Sequence, residues 1–562
     1  MKLAETLAYK NEWKFWGCVL FFAASIMSIP YFSFEHLNKL DSLFHLNRIE
    51  GIKEGLLAFE IPVRINGYAL NGYGTADSIM YPDLLLYFPA ILRICGLSVS
   101  LSWNLTWVAL IFSGVFLSWL GYSLWIKDIR AGALAALFYS SIYIFQIVSG
   151  GMVGFAPLYF MLPFAAAILF LILQEPKNTK LWPVFVIIFT FFIQNHIPSM
   201  IMFGVFAFIC FCFHIKSFSN KEQRIAIFKI VFFIILLNIW RIFPFVYFYE
   251  TVSFQINHPS WVTSFEDVAR SLNQLLKYEF YLGFPFLILT LIFAIYKRKC
   301  KKFVYVLGLN FFLILICTKI FPWGFIENNL PFGKILLPLQ FPERFLPFGF
   351  VFLCLFIGKF LAEKFDIVFR RKILVCFFMI FVAVTCIQEN IIRQKYPEFL
   401  PYIYNYMSLE KVPSYTDDKY YVQEDYLYSD VHFYKLRNEK GEVYGQMDFK
   451  TEVKLFDIKK HGSRLEFSYH ADGDAKIQVP LFYWEGYEAK IQNGEKLPMG
   501  FNENRFMEVY VKKGENKLKI HYAGLPIFKI CDLISFVSAI FLFILIFREN
   551  KVSIFKNFSS KK

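Results

Sequence analysis

Long apolar runs separated by short polar breaks make up most of this chain. Runs at residues 15–31, 101–125, 131–148, 155–173, 225–248, 303–320, 345–361, 373–387 and 530–547 have about the length a helix needs to cross a bilayer. Two runs, 182–196 and 199–214, form a tight pair broken at Asn195-His196-Ile197-Pro198, and 282–296 leads into a dense basic cluster at 297–302. The stretch 83–97 is too short to cross alone and is expected to lie at the interface, bent by Pro89. The count comes to about twelve spans. Across 391–525 the period changes. Segments 464–469, 475–479, 487–492, 506–511 and 517–522 alternate as strands do, separated by Asp472-Gly473-Asp474, Asn493-Gly494 and Lys513-Gly514. This predicts a small antiparallel β-sandwich carried between spans on both flanks, with no catalytic motif of its own.

Composition sharpens the class. The 562 residues are 57% hydrophobic, 20% aromatic and 18% charged, which excludes a soluble protein and indicates a polytopic α-helical membrane protein. The formal charge of +14 calls for no nucleic acid, because Lys and Arg concentrate in short loops that fall on one side of the expected topology. That topology puts both termini in the cytoplasm and the longer loops outside a bacterial cytoplasmic membrane. Three parts result: a transmembrane region 1–390 with a first external loop at 32–82, an external β-rich domain 391–525, and a last helix with a basic tail, 526–562. No small-residue cleavage site follows the first apolar run, so it reads as a retained span. The ten cysteines all lie at or near apolar segments and none falls within 391–525, so no disulfide is expected there.

Polar chemistry concentrates in 41–83. A helix opening near Asp41 places Asp41, His45 and Arg48 at i, i+4 and i+7, on one face, while Leu43, Leu46, Ile52 and Leu56 turn toward headgroups or neighbouring spans. Asp41 could act as a general base, or it could simply cap the helix. Arg64 and Arg344 sit at outer ends of apolar regions, where a guanidinium can grip a lipid phosphate or merely snorkel; Glu343 also offers Arg344 an ion pair. His196, at a helix break, could touch a phosphate or a donor sugar, or serve structure alone. Asp77 and Asp83 could reach an acceptor or a divalent ion, but they form no DxD, so no cofactor is expected. Tyr68, Tyr73 and Tyr81 could stack on sugar rings or mark the interface. Gly67, Gly72 and Gly74 read as a flexible loop, with no βαβ unit to make them a nucleotide fingerprint.

The order of these features resembles the GT-C superfamily of membrane glycosyltransferases. The motifs are the acidic helix Asp41-Ser42-Leu43-Phe44-His45-Leu46-Asn47-Arg48-Ile49, Pro62-Val63-Arg64, Tyr81-Pro82-Asp83 and Phe341-Pro342-Glu343-Arg344-Phe345. Within that superfamily the chain is similar to the YfhO-like bacterial membrane proteins and the group labelled "6-pyruvoyl-tetrahydropterin synthase related". The segment from Val479 to Tyr487, followed by Asn493-Gly494, resembles that group's external β domain. The resemblance implies an inverting enzyme that takes a sugar from a polyprenyl-phosphate donor to an envelope glycan, a teichoic-acid-like polymer or a lipid. It implies that Asp41 is the base and that Arg344, with Arg48 or His196, holds the donor phosphate. His45, Arg64, Tyr81 and Asp83 complete the expected substrate site. One departure is Ser149-Gly150-Gly151-Met152-Val153-Gly154, where relatives carry an acidic residue, which argues against metal assistance. Two rivals remain. A lipid or glycan transporter calls for ionisable groups near mid-span and repeated halves, whereas these spans read as almost purely apolar. A non-catalytic envelope scaffold would use the β domain to bind glycan or a partner enzyme.

Overall fold

The computed structural model describes residues 2–32, 40–141, 153–254, 301–329, 342–364, 427–431, 436 and 448–549. The expected runs at 282–296 and 373–387 and the start of the polar region at 391–426 lie outside them. The helices are α1 (Lys2–Ser28), α2 (Leu40–Leu57), α3 (Asp77–Met80), α4 (Tyr87–Ile94), α5 (Val99–Ile126), α6 (Ile129–Tyr139) and α7 (Ala156–Gln174). They continue with α8 (Trp182–Ile193), α9 (Ile197–Phe213), α10 (Lys221–Thr251), α11 (Lys301–Ile316), α12 (Trp323–Asn329), α13 (Leu346–Lys364) and α14 (Pro526–Glu549). Among the described residues, five helices are long and apolar enough to cross a membrane: α5, α7, α10, α13 and α14. The rest of the described apolar runs form shorter helices or, at α1, a helix that passes into a 3-10 turn, Ile29–Phe32.

Two close helix contacts in the bundle rest on glycine, as expected where lipid removes the hydrophobic drive for association. A Cβ at Gly121 of α5 would collide with the α7 backbone at Pro163 and Phe164. One at Gly358 of α13 would collide with Ala131 and Ala135 of α6. Polar ties join other pairs: Ser535 of α14 donates to the Leu236 carbonyl of α10 at 2.7 Å, and Gln194 donates to Asn238 of α10 at 2.7 Å.

Pro89 does not bend α4. It sits in the helix's first turn, where a missing N–H costs nothing, and Phe88, Ile91 and Ile94 are left exposed along one side. Nor does α2 lie on a surface as an interfacial helix with one charged face. His45, Asn47, Arg48 and Glu50 are all buried, and so are Leu46, Ile49 and Ile52, which join the bundle's core.

Among the described residues the strands are β1 (Lys454–His461), β2 (Arg464–Ala471), β3 (Ala475–Phe482), β4 (Tyr487–Ile491), β5 (Lys496–Leu497), β6 (Met499–Phe501), β7 (Phe506–Val511) and β8 (Gly514–Tyr522). One sheet runs β1-β2-β8-β4-β5 and the other β3-β7-β6, with every pairing antiparallel. Leu465, Phe467, Tyr469, Leu518 and Ile520 face Ile477, Val479, Phe506 and Val509 across the core. Pro480 coincides with the register shift between Gln478 and Phe482, as a residue without an N–H requires.

The segment after α2, through α3, is where the helices and the sandwich meet. Ile65, Ala69, Leu70, Tyr73, Ala76, Ile79 and Met80 share one apolar cluster with the sandwich, and with Phe248 of α10 and Phe528 of α14. The glycines there serve geometry rather than flexibility. Gly72 and Gly74 take φ of 90° and 86°, which close a 3-10 turn at Leu70–Gly72, and Gly67 lies against the backbone of Gly462.

Candidate functional site

Arg48 is the centre of the polar group. The helix α2 sets it one turn beyond His45, and its Nη1 lies 3.4 Å from His45 Nδ1. Its Nη2 donates to the carbonyls of Tyr81 at 2.6 Å and Pro82 at 3.2 Å, just past the end of α3. The same nitrogen is 3.8 Å from Asp83 Oδ2, with both side chains fully shielded from solvent. Arg241, from the middle of α10, completes the frame: its Nη2 donates to Asp83 Oδ1 and its Nη1 to the Ser78 carbonyl. Two guanidinium groups thus share one carboxylate in a buried setting.

A second carboxylate lies next to this frame. Asp77 accepts from Asn66 Nδ2 at 3.0 Å, and Asn66 also donates to Asn47 at 3.1 Å. Burial pushes the Asp77 carboxyl up from its usual range, partly opposed by Arg48 and the Asn66 hydrogen bond. Two guanidinium groups and two carboxylates therefore share this chamber, and Asp77 is the carboxylate whose charge burial disfavours. Several of its buried polar atoms have no hydrogen-bond partner among the described residues: Arg48 Nε, Arg241 Nε, Asp77 Oδ1 and Ser78 Oγ.

From the frame a line of rings leads outward. The Arg48 guanidinium lies 4.6 Å over the Tyr81 ring. Tyr81 is 5.8 Å from the His45 ring and 5.6 Å from the His196 ring. His196 meets Phe155 edge-on at 4.1 Å, and the Arg344 guanidinium lies 4.0 Å over Phe155. Tyr159 fixes the Arg344 backbone by donating to its carbonyl at 3.0 Å. Gly154 allows the crowding, because a Cβ there would strike the Tyr81 hydroxyl and the His196 ring. Tyr81 and Arg344 are only partly buried and form the accessible rim; His45 and His196 lie behind them.

Hydrogen-bond roles settle both imidazoles. The Nδ1 of His45 faces a guanidinium, which can only donate, so the proton of a neutral ring sits on Nε2. Burial, then the adjacent Arg48, hold this imidazole well below its usual range. His196 Nδ1 accepts from the Ser199 backbone N–H at 3.2 Å as the N-cap of α9, which again leaves the proton on Nε2. Both rings therefore keep an Nε2–H donor.

Of the residues expected at the site, His45, Arg48, Tyr81, Asp83, His196 and Arg344 come together. The backbone of Asp41 lies in the first turn of α2, one turn before His45, but its side chain lies outside the described residues, as do the side chain of Glu343 and residues 149–152. Arg64 goes elsewhere. It forms a bidentate pair with Asp532 of α14 at 2.7 and 3.2 Å and lies over Phe528. Tyr73 is buried between Phe482 and Phe506 of the sandwich and can stack on no sugar. Arg241, Asn66 and Asn47 belong to the site without having been expected. The spans are not purely apolar: Arg241, in the apolar part of a membrane-length helix, was itself a signal. Among the described residues, no group of three or more His, Cys, Asp or Glu is placed to hold a metal ion.

No family model matches the chain. Over 108 residues it is 35% identical to a Bacillus subtilis (strain 168) protein described as "Uncharacterized protein YfhO". The shared stretch is 19% of this chain and 12% of that protein, well short of two thirds of its length.

Proposed function

We propose that the protein is a GT-C-type glycosyltransferase of the bacterial cytoplasmic membrane, with about twelve spans and both termini in the cytoplasm. The observation that supports this most is the gathering of His45, Arg48, Tyr81, Asp83, Arg241, His196 and Arg344 from segments far apart in sequence, with three guanidinium groups against the carboxylates of Asp77 and Asp83. The third guanidinium, that of Arg344 at the rim, favours an anionic ligand, and the apolar helices around it favour one carried on a lipid.

In this reading the site faces the extracytoplasmic side and takes a polyprenyl-phosphate-linked sugar. The phosphate rests at the rim, on Arg344 and the Nε2–H of His196, while Arg48, Asp83 and Arg241 form the frame behind it. Asp41, at the start of α2, removes the proton from an acceptor hydroxyl of an envelope glycan, teichoic-acid-like polymer or lipid. The oxygen attacks the anomeric carbon from the face opposite the phosphate. The carbon–oxygen bond to the phosphate breaks with its electron pair, the lipid phosphate leaves, and the sugar is inverted. The arginines stabilise the charge that develops on the leaving oxygen. No metal enters this scheme.

Transfer of labelled sugar from polyprenyl phosphate in proteoliposomes tests the proposal. Asp41→Asn should lower kcat by about 10²–10⁴-fold and Arg344→Gln by about 10²–10³-fold, with both proteins still inserted. An inserted Asp41→Asn protein that transfers at the wild-type rate would overturn the assignment. One observation favours the scaffold alternative: the guanidinium groups of Arg48 and Arg241 already donate to Tyr81, Pro82, Ser78 and Asp83 of the protein itself. A scaffold would show no transfer with any lipid-linked sugar.

A further inference from the structure

We propose that Lys460, on strand β1 of the sandwich, is a positioning residue for the Arg48–Asp83–Arg241 group, acting through the 66–83 segment. The site's role as a transferase rests on the reading above; the mechanical coupling does not.

The inference follows from where the side chain ends. Lys460 Nζ donates to the carbonyl of Gly67 at 3.0 Å and to the carbonyl of Gly72. Those two carbonyls stand at either end of the short turn that holds Leu70, Asn71 and Gly72 in tight or left-handed backbone. One ammonium thus clasps the turn shut. Glu54 and Glu60, both C-terminal to Arg48 on or just after α2, lie close enough to act on its charge. Glu60 in turn accepts from the Ser463 backbone at 3.1 Å and from its hydroxyl at 2.8 Å, which pins the β1–β2 turn over the segment.

Other contacts make the seat rigid. Gly67 lies so close to Gly462 that no side chain fits between them. Phe482 donates from its backbone to the Tyr73 carbonyl at 2.9 Å, Arg464 donates to the Ala58 carbonyl at 2.9 Å, and Tyr73 is embedded in the sandwich core. Among the described residues, the segment's buried apolar side chains cluster with the sandwich, Phe248 and Phe528, while the half-buried Tyr68 packs against the helix bundle.

From the clasped turn the path to the charged group is short. Gly67 is bonded to Asn66, whose Oδ1 accepts from the N–H groups of Tyr68 at 3.2 Å and Ala69 at 3.3 Å. That fixes the amide so that its Nδ2 points at Asn47 and Asp77. Asn47 precedes Arg48, and Asp77 precedes Ser78, whose carbonyl holds Arg241. A turn that opens would swing Asn66 away from both, and Tyr81 and Asp83 follow on the same short segment. On this account the sandwich is a wall of the site rather than a separate appended module.

The test uses the full chain in lipid nanodiscs, with hydrogen exchange read peptide by peptide. Lys460→Met keeps the aliphatic stem and removes the donors; Lys460→Arg restores a cation with donors. Lys460→Met should raise exchange across 66–83 by roughly tenfold while β2 and β8 stay protected, and Lys460→Arg should recover part of the protection. Where transfer is measurable, Lys460→Met should lower kcat more than it raises KM for the lipid donor. Unchanged exchange at 66–83 would overturn the coupling, as would raised exchange with untouched kcat. Should Lys460→Met also expose β2 and β8, Lys460→Arg decides: protection at 66–83 supports the proposal and its loss overturns it. If wild-type protein transfers no sugar while the exchange pattern holds, the transferase reading falls and the coupling stands.

Discussion

Asp83 sits between two guanidinium groups, and its charge is what lets them lie close together away from water. Replacing it with asparagine leaves two buried cations facing a neutral amide. Asp83→Asn should therefore cost about 3–5 kcal/mol and be visible as a large fall in Tm in detergent. Asp83→Glu, which keeps the charge, should recover much of the loss. Gly154 poses a steric question at the same site. A methyl group there meets Tyr81 and His196, so Gly154→Ala should cost about 1–3 kcal/mol and displace the two rings, weakening lipid-donor binding more than it weakens folding. A variant with unaltered donor affinity would show that the ring line is no part of the ligand surface. At this scale the sequence revealed the pairs that helical spacing joins. His45 and Arg48 are three residues apart, so periodicity alone put them on one face. It could not reveal that Arg241 meets Asp83 across 158 residues, or the diversion of Arg64 to Asp532 across 468. Such partners are set by helix packing, which no local pattern encodes.

Elements were legible to the degree that their residues follow a period. Runs of apolar residues gave α5, α7, α10, α13 and α14 to within a few positions, and 506–511 coincides with β7. The strand β1 was missed because its sequence, KLFDIKKH, is charged along an edge and bulged at Asp457, so alternation fails there. Its Lys460 nonetheless donates from the sandwich to the Gly67 and Gly72 carbonyls beside the site. Burial pushes the Lys460 ammonium down to about 7, against the pull of Glu54 and Glu60. An unfolded lysine titrates near pH 10.4, so between about 7 and 10 the unfolded chain binds more protons than the folded one. Stability of the sandwich contact should therefore rise with pH across that window, with the full penalty present below pH 7. Thermal unfolding from pH 6.5 to 9 checks the sign, and Lys460→Met should flatten the slope. A stability that falls over this range in wild-type protein would contradict the burial of this group.

For the whole molecule, charge bias and apolar length gave a membrane protein with a β-rich region near its C-terminal end, and the structure agrees at that level. The common cluster that ties the sandwich to 65–80, α10 and α14 was not legible, because a sequence shows which residues want burial but not which neighbour buries them. That cluster makes the polar frame and the sandwich parts of one assembly, closed on one side by apolar helices. The most direct test of its proposed purpose is equilibrium binding of a polyprenyl phosphate to purified protein in nanodiscs, with the uncharged polyprenol as competitor. Saturable binding is expected that polyprenol fails to displace and that Arg344→Gln weakens by tenfold or so, about 1.4 kcal/mol. Equal competition by the alcohol, or an Arg344→Gln protein that binds as tightly as wild type, would contradict the account.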